Sequence, residues 1–444
     1  MRHTPSGTAA GGYAKHPASA LPRGPIIDES IHYNMNLIDN RYLLPSGVDP
    51  LELVQTWGCP LYVYDSAVIK RQYDRMVNAF SVKRLRINYA CKANTNLSIM
   101  RLMQSWGSGV DAVSVQEVTL ALRAGFQPQD VIYTPNCVSM EEIAEAVELG
   151  VRINIDNISI LEQFGHEFPA IPVCIRINPH IMAGGNTKIS VGHIDSKFGI
   201  SIHQVPHVHK VVQALRIKVE GIHMHTGSDI LNAASFLQAT EILLNVAKDF
   251  PDLDYIDFGS GFKVPYKPGG VATDIEDLGM QVSGRFNTFC EEYGRDLALM
   301  FEPGKFLVSE AGYFLTRCNV VKTTPATTFV GVDSGLNHLV RPMMYDAYHH
   351  ITNLSNPEGK QRIYSVVGYI CETDTFGSDR QLSEVREGDV ICLHNAGAYC
   401  YSMASNYNSR YRPAEVLVHK GQAHLVRKRE TMEDILRSQV DVFG

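Results

Sequence analysis

Residues 88–96, Asn88-Tyr89-Ala90-Cys91-Lys92-Ala93-Asn94-Thr95-Asn96, read NYACKANTN. They close the apolar run INYAC (87–91) with one lysine among small, uncharged neighbours. The run has the length of a buried strand. The segment that follows, LSIMRLMQSW (97–106), spaces its apolar residues as a helix does. A strand, a chemistry-bearing residue at its C-terminal end and a helix make one β/α unit. A lysine at that place costs free energy unless it is paired or neutral. What Lys92 is bonded to is the first question the chain poses.

The unit recurs. Further strand-like runs are GVDAVS (109–114), VIYT (131–134), RINID (152–156), PVCIRI (172–177), GIHMH (221–225), YIDFG (255–259) and LMFEPG (299–304). Helical patterns such as SFLQATEILLNVAKDF (235–250) lie between them. Eight strands with intervening helices predict an α/β fold, a (β/α)8 TIM-like barrel over residues 59–312, with LYVYD (61–65) leading in. From 313 to 444 the rhythm changes. Runs such as TFVGVDS, IYSVVGYIC, DVICLHN and AEVLVH, with turns such as EVREGD, predict a C-terminal mostly-β domain. Residues 35–58 are expected to join that β domain. Residues 1–27 hold four Pro, four Gly and no acid, so residues 1–34 are expected to be a disordered extension.

Composition narrows the function classes. The 444 residues are 45% apolar and 20% charged, the make-up of an ordinary globular protein. A net charge of −7 argues against nucleic acid or an anionic membrane as the main partner. No apolar run approaches the ~20 residues that span a bilayer. Nine scattered cysteines without a C-x-x-C pair read as reduced thiols in a cytoplasmic protein.

In such a barrel, chemistry gathers where the strands end. Those ends carry Lys92, Ser114 with Glu117 beyond it, Asp156, Arg176 and Asn178, His223 and His225, Gly259-Ser260-Gly261, and Glu302 followed by Pro303 and Gly304. Loops after strands seven and eight commonly bind phosphate, which favours glycine there. A lysine, a phosphate cradle and a carboxylate on one rim point to pyridoxal phosphate. Lys92 would then attach the cofactor, Glu302 would hold its pyridine nitrogen and His225 would stack on its ring. Each residue has a plainer reading. Lys92 can extend to solvent. Glu302 can pair with a structural base. His223 and His225, two apart on a strand, face one way, and can ligate zinc or sit hydrogen-bonded in the core. Asp156 and Arg176 can form an ion pair in the barrel mouth. Only the joint arrangement favours the cofactor.

The motifs YACKAN, GIHMHTGSD, DFGSGFKVPY, EPGKFLVSEAG, VDSGLNHLVRPMMYDAYH, CETD and GAYCYSMASNYNSRYRPAEVL resemble, in order and spacing, those of the diaminopimelate decarboxylase family. These are fold-type III pyridoxal phosphate enzymes related to ornithine decarboxylase and alanine racemase. The resemblance runs from about residue 35 to the end. It implies decarboxylation of meso-2,6-diaminopimelate to L-lysine, the last step of lysine biosynthesis, by a homodimer with shared active sites. It assigns Lys92, His225 and Glu302 the roles above, and places Ser228, Gly259, Ser260, Gly261, Gly304 and Tyr399 around the phosphate. Cys371, as proton donor, and Glu372, as reader of the distal amine, would come from the neighbouring subunit. Arg341 and Tyr345, with Lys305 and Tyr399 beside them, would hold the substrate and its distal carboxylate. Two motifs depart from the pattern. Glu-Pro-Gly-Arg is here Glu302-Pro303-Gly304-Lys305, which keeps the charge but loses the planar fork. Cys-Glu-Ser-Gly-Asp is shortened to Cys371-Glu372-Thr373-Asp374.

Rival readings remain at this stage. Racemases of the fold place an arginine near the pyridine nitrogen, where Glu302 stands here. Ornithine-type enzymes need no second carboxylate site, which argues against them given Arg341 and Lys305. A zinc amidohydrolase carries H-x-H on its first barrel strand, whereas here the pair is on the sixth. A non-catalytic cofactor-binding regulator would not need Cys371 and Glu372.

Overall fold

The computed structural model describes residues 35–181, 196–230 and 233–443. The expected extension at 1–34 lies outside the described residues. Eight parallel strands close on themselves. In chain order they are Leu85–Ala90, Gly109–Ala112, Val131–Tyr133, Arg152–Ile155, Val173–Asn178, Val219–His223, Tyr255–Asp257 and Ala298–Phe301. The eighth returns to the first, with Met300 opposite Arg86, and every neighbouring pair is parallel. A short strand, Ile200–Ser201, extends the edge of the fifth. The strands are buried on both faces, which is why they read as apolar runs without alternation.

Local sequence sets the β-to-α turns. Asn96 caps the helix Leu97–Ser105, its Oδ1 accepting the Ser98 N–H. Ser114 caps Val115–Ala124 by accepting from the Glu117 N–H, while the Glu117 carboxylate reaches back to the Val113 N–H. Gly125, at φ 104, ends that helix in the left-handed conformation glycine favours.

The second unit is a mixed sheet. Its order is Thr375–Ser383, Gln361–Val367, Thr328–Val332, Gly312–Thr323, Leu61–Asp65, Ala414–His419 and Gln422–Arg427, with Val390–Leu393 and Ile351–Asn353 branching from Gly312–Thr323. One expectation is corrected here. LYVYD does not open the barrel. It lies in this sheet, antiparallel to Gly312–Thr323 and parallel to Ala414–His419. Alternation explains the place. Leu61 and Val63 pack with Leu53, Val54, Tyr313 and Val416, while Tyr62 and Tyr64 pack into the barrel-side core. Both faces are buried, so the run carries no polar stripe and looks like a barrel strand. Residues 35–58 form a hairpin, Asn36–Ile38 with Arg41–Leu43, and a helix, Pro50–Trp57, whose Leu53 and Val54 cover that face of the sheet.

Close backbone contacts bind the two units beside the barrel mouth. The Asn94 amide donates to the Gly397 carbonyl (3.2 Å), the Asn395 amide to the Pro265 carbonyl (2.7 Å), and the Tyr399 N–H to the Ala93 carbonyl (2.8 Å). A β-carbon on Gly397 would stand 1.7 Å from the Val308 carbonyl oxygen, and one on Gly312 would stand 2.0 Å from the Gly397 nitrogen. Among the described residues, no helix is long and apolar enough to cross a membrane.

Candidate active site

Lys92 sits in the single turn Cys91–Ala93 that follows the first barrel strand. Its ammonium donates to Asp111 Oδ2 at 2.8 Å. Asp111 lies in the second strand and is fully buried, whereas the lysine side chain is 37% exposed to the mouth. Burial alone would depress the lysine. Asp111, then Tyr399 and Glu302, outweigh it, and its affinity for a proton rises. Burial raises the Asp111 carboxyl, with Glu302 adding to the rise and Lys92 opposing it. The lysine is therefore a paired ammonium that must release a proton before it acts as a nucleophile.

Register assembles the floor of the mouth. Arg176, His223 and Asp257 stand opposite one another on strands five, six and seven, and Glu302 follows strand eight. The His223 Nε2–H donates to Glu302 Oε2 at 3.0 Å. Ligating atoms of His223, Asp257 and Glu302 lie within 4.8 Å of one another, all buried. Burial raises both acids. Asp257 is raised further by the Glu302 charge, while Lys92 and Arg176 relieve Glu302. Burial and the Glu302 charge thus disfavour ionisation of Asp257, while the cations Lys92 and Arg176 favour it in Glu302. Burial also holds His223 and His225 well below the ordinary histidine range, so both rings are neutral.

The two histidines do not act together. His223 is the last residue of its strand and turns into the floor. His225 lies beyond the strand end, where its Nδ1 accepts the Ser260 N–H at 3.1 Å. His223 thus bonds to Glu302 in the floor and His225 to the glycine turn. Asp156 accepts from the Asn136 amide at 2.5 Å, and the Arg176 guanidinium lies 5.0 Å from the centre of the Phe198 ring.

The Gly259-Ser260-Gly261 turn is braced by Asp257 Oδ1, which accepts the Gly259 N–H at 2.8 Å. Gly259 and Gly261 have φ of 63 and 130. A β-carbon on Gly259 would lie 2.4 Å from the Met224 carbonyl oxygen, and one on Gly261 would lie 2.2 Å from that of Gly227. The immediate reason for these glycines is packing against the loop that carries Ser228.

Beside the mouth is a cavity of about 550 Å³, lined among others by Ser228, Asp229, Lys305, Arg341, Tyr345 and Tyr399. Tyr399, at φ 57, joins cavity and mouth, since its N–H is bound to the turn that carries Lys92. Arg341 is held by the Tyr266 hydroxyl (2.9 Å) and His349 Nε2 (3.3 Å), and its Nε has no hydrogen-bond partner. Lys305 pairs with Asp229. Burial lowers the Lys305 proton affinity, and Asp229 opposes the drop.

Cys371 and Glu372 are not brought to this cavity. Both are exposed, with the thiol 3.5 Å from Glu372 Oε2. The Tyr407 hydroxyl donates to Glu372 and holds that carboxyl below its ordinary value. Asp374 anchors the loop by accepting the Leu336 and Ile370 N–H groups.

The residues fit pyridoxal phosphate. Lys92 offers an amine to the opening, Glu302 Oε1 is buried without a hydrogen-bond partner, and the neutral His225 lies against the glycine turn. Sequence reading missed Asp111, Asp257, Asp229 and Tyr266. The first two had a legible signal, an acid inside or ending an otherwise apolar strand. The other two act through pairings 76 and 75 residues away.

Comparison with known proteins agrees. Residues 66–309 match the family model of the pyridoxal-dependent decarboxylases, pyridoxal binding domain. The diaminopimelate decarboxylase of Methanothermobacter thermautotrophicus is 42% identical, over 90% of this chain and 96% of that protein. That of Escherichia coli K12 is 36% identical, over 87% and 95%. The crystal structure of the M. jannaschii diaminopimelate decarboxylase in complex with L-lysine superposes with a TM-score of 0.84 at 31% identity, covering 92% of this chain and 98% of that one. By its fold, its rim residues and these relatives, the chain belongs to the diaminopimelate decarboxylase family.

Proposed function

We propose that the protein decarboxylates meso-2,6-diaminopimelate to L-lysine and carbon dioxide with pyridoxal 5′-phosphate, as a cytoplasmic homodimer with shared active sites. The observation that carries the reading is the Lys92 amine at the mouth, paired with Asp111, on the same rim as the buried Glu302, whose Oε1 has no hydrogen-bond partner.

When bound, the cofactor supplies an aldehyde for amines and a conjugated ring that accepts the electron pair left by carbon dioxide. Lys92 would be its attachment point, and the Asp111 carboxylate would hold the Lys92 ammonium whenever that amine is free. Glu302 holds the ring nitrogen in its protonated form, and His223 orients the Glu302 carboxylate. His225, fixed by the Ser260 N–H, presents a neutral ring for stacking. Ser228, the Gly259–Gly261 turn, Gly304 and Tyr399 surround the phosphate. Arg341 and Tyr345, with Lys305, take the distal carboxylate. The surface position of Cys371 and Glu372 supports their serving a neighbouring chain, with the partner subunit's Cys371 delivering a proton to the carbon that lost carbon dioxide. Nine free cysteines support a reducing compartment.

Incubation with cofactor and meso-diaminopimelate is expected to release carbon dioxide and L-lysine in equal amounts. Release from ornithine or lysine instead, or none from any amino acid, would overturn the reading. A bound metal in place of the cofactor chromophore would favour a hydrolase built on His223, Asp257 and Glu302.

A further inference from the structure

Four cations line the cavity beside the mouth, Lys263, Lys267, Lys305 and Arg341, and the two buried ones, Arg341 and Lys305, are in different states. Arg341 is 8% exposed, held from one side by Tyr266 and His349, with its Nε unpartnered. Lys305 is equally buried, but its ammonium is already committed to Asp229 Oδ1 at 2.5 Å. Asp229 is 27% exposed on its side chain and lines the same cavity as Arg341, Tyr345 and Tyr399. An incoming carboxylate can meet Arg341 without breaking an ion pair, because the groups that hold it, Tyr266 and His349, are uncharged. If it also engages Lys305, Asp229 loses its partner and is left as a partly buried carboxylate beside a second negative charge. That penalty disappears when the same end of the ligand also carries an ammonium, because the ammonium then replaces Lys305 as the partner of Asp229.

We propose that Asp229 is a specificity-determining residue. The Lys305–Asp229 pair opens to a zwitterionic ligand end, with Arg341 and Lys305 taking the carboxylate and Asp229 the ammonium. Ligands with a carboxylate but no adjacent amine are rejected, because they strand Asp229. The inference rests on the function proposed above, in which the distal end of the substrate is an unreacted amino-acid head. It adds a reader of that head from within the chain, beside the partner subunit's Glu372.

The test compares L-lysine with 6-aminohexanoate, its analogue lacking only the α-amine. Binding to the cofactor-loaded enzyme is measured by calorimetry and by competition. The wild type is expected to prefer L-lysine. In Asp229→Asn the ratio of affinities should fall by roughly tenfold or more, the scale of a lost charge-assisted hydrogen bond, with 6-aminohexanoate tightening as L-lysine weakens. Asp229→Glu should keep the preference, which separates a lost charge from a damaged fold. A ratio unchanged in Asp229→Asn, or two affinities falling by one common factor, overturns the proposal. If the wild type converts meso-diaminopimelate and the ratio still does not move, this inference alone fails. If the wild type neither converts it nor binds L-lysine, the underlying function fails.

Discussion

Lys92 shows how a residue's chemistry is set by what faces it. In the sequence its neighbours are small and neutral; in the fold it is bound to Asp111 at 2.8 Å. The pair keeps the amine protonated, and attachment of an aldehyde needs it neutral. Asp111 is among the causes that raise the lysine's proton affinity. Asp111→Asn should therefore let the ammonium lose its proton at lower pH. The pH profile of cofactor attachment, followed by its visible absorbance, is expected to shift toward acid. A profile that stays in place or moves toward base would show that Asp111 does not control this proton. Asp257 makes the same point among acids. Burial and the Glu302 charge raise it, whereas Glu302 has Lys92 and Arg176 among its principal neighbours to oppose the rise.

At the scale of elements, the site depends on where a loop crosses a strand. The segment after Val390–Leu393 passes over the start of Gly312–Thr323, and Gly397 and Gly312 meet with no room for a side chain. That crossing places Tyr399 against the Lys92 turn. Gly397→Ala forces backbone apart, at a cost of about 1–3 kcal/mol for overpacking a close contact. Thermal unfolding should shift down, and cofactor affinity should fall with it as Tyr399 withdraws. Wild-type cofactor affinity in a destabilised protein would show that the crossing serves stability alone. The barrel strands were legible element by element, because a buried apolar run ending in a polar residue reads the same in sequence as in space. LYVYD was misassigned for the same reason. A strand buried on both faces carries no mark of which sheet it belongs to.

For the whole molecule, one chain supplies the mouth and the cavity but keeps Cys371 and Glu372 on its surface. Two copies are expected to complete each other. Lys92→Ala and Cys371→Ala should each be inactive alone. Mixed and allowed to exchange, they should recover roughly one quarter of wild-type activity, since half the dimers are hybrids with one intact site of two. Hybrids that form without recovering activity would mean that each chain builds its own site.

By itself the sequence determined the barrel, the rim on which the polar residues gather, and the lysine, histidine and glutamate found there. Periodicity and strand ends are local properties, and in a β/α barrel chain order is spatial order. Only the tertiary structure decided the partners: Asp111 for Lys92, Asp229 for Lys305, Tyr266 for Arg341, and the second sheet for Leu61–Asp65. Those pairings rest on closeness through space between residues that no local period links, and closeness of that kind is settled when the core packs.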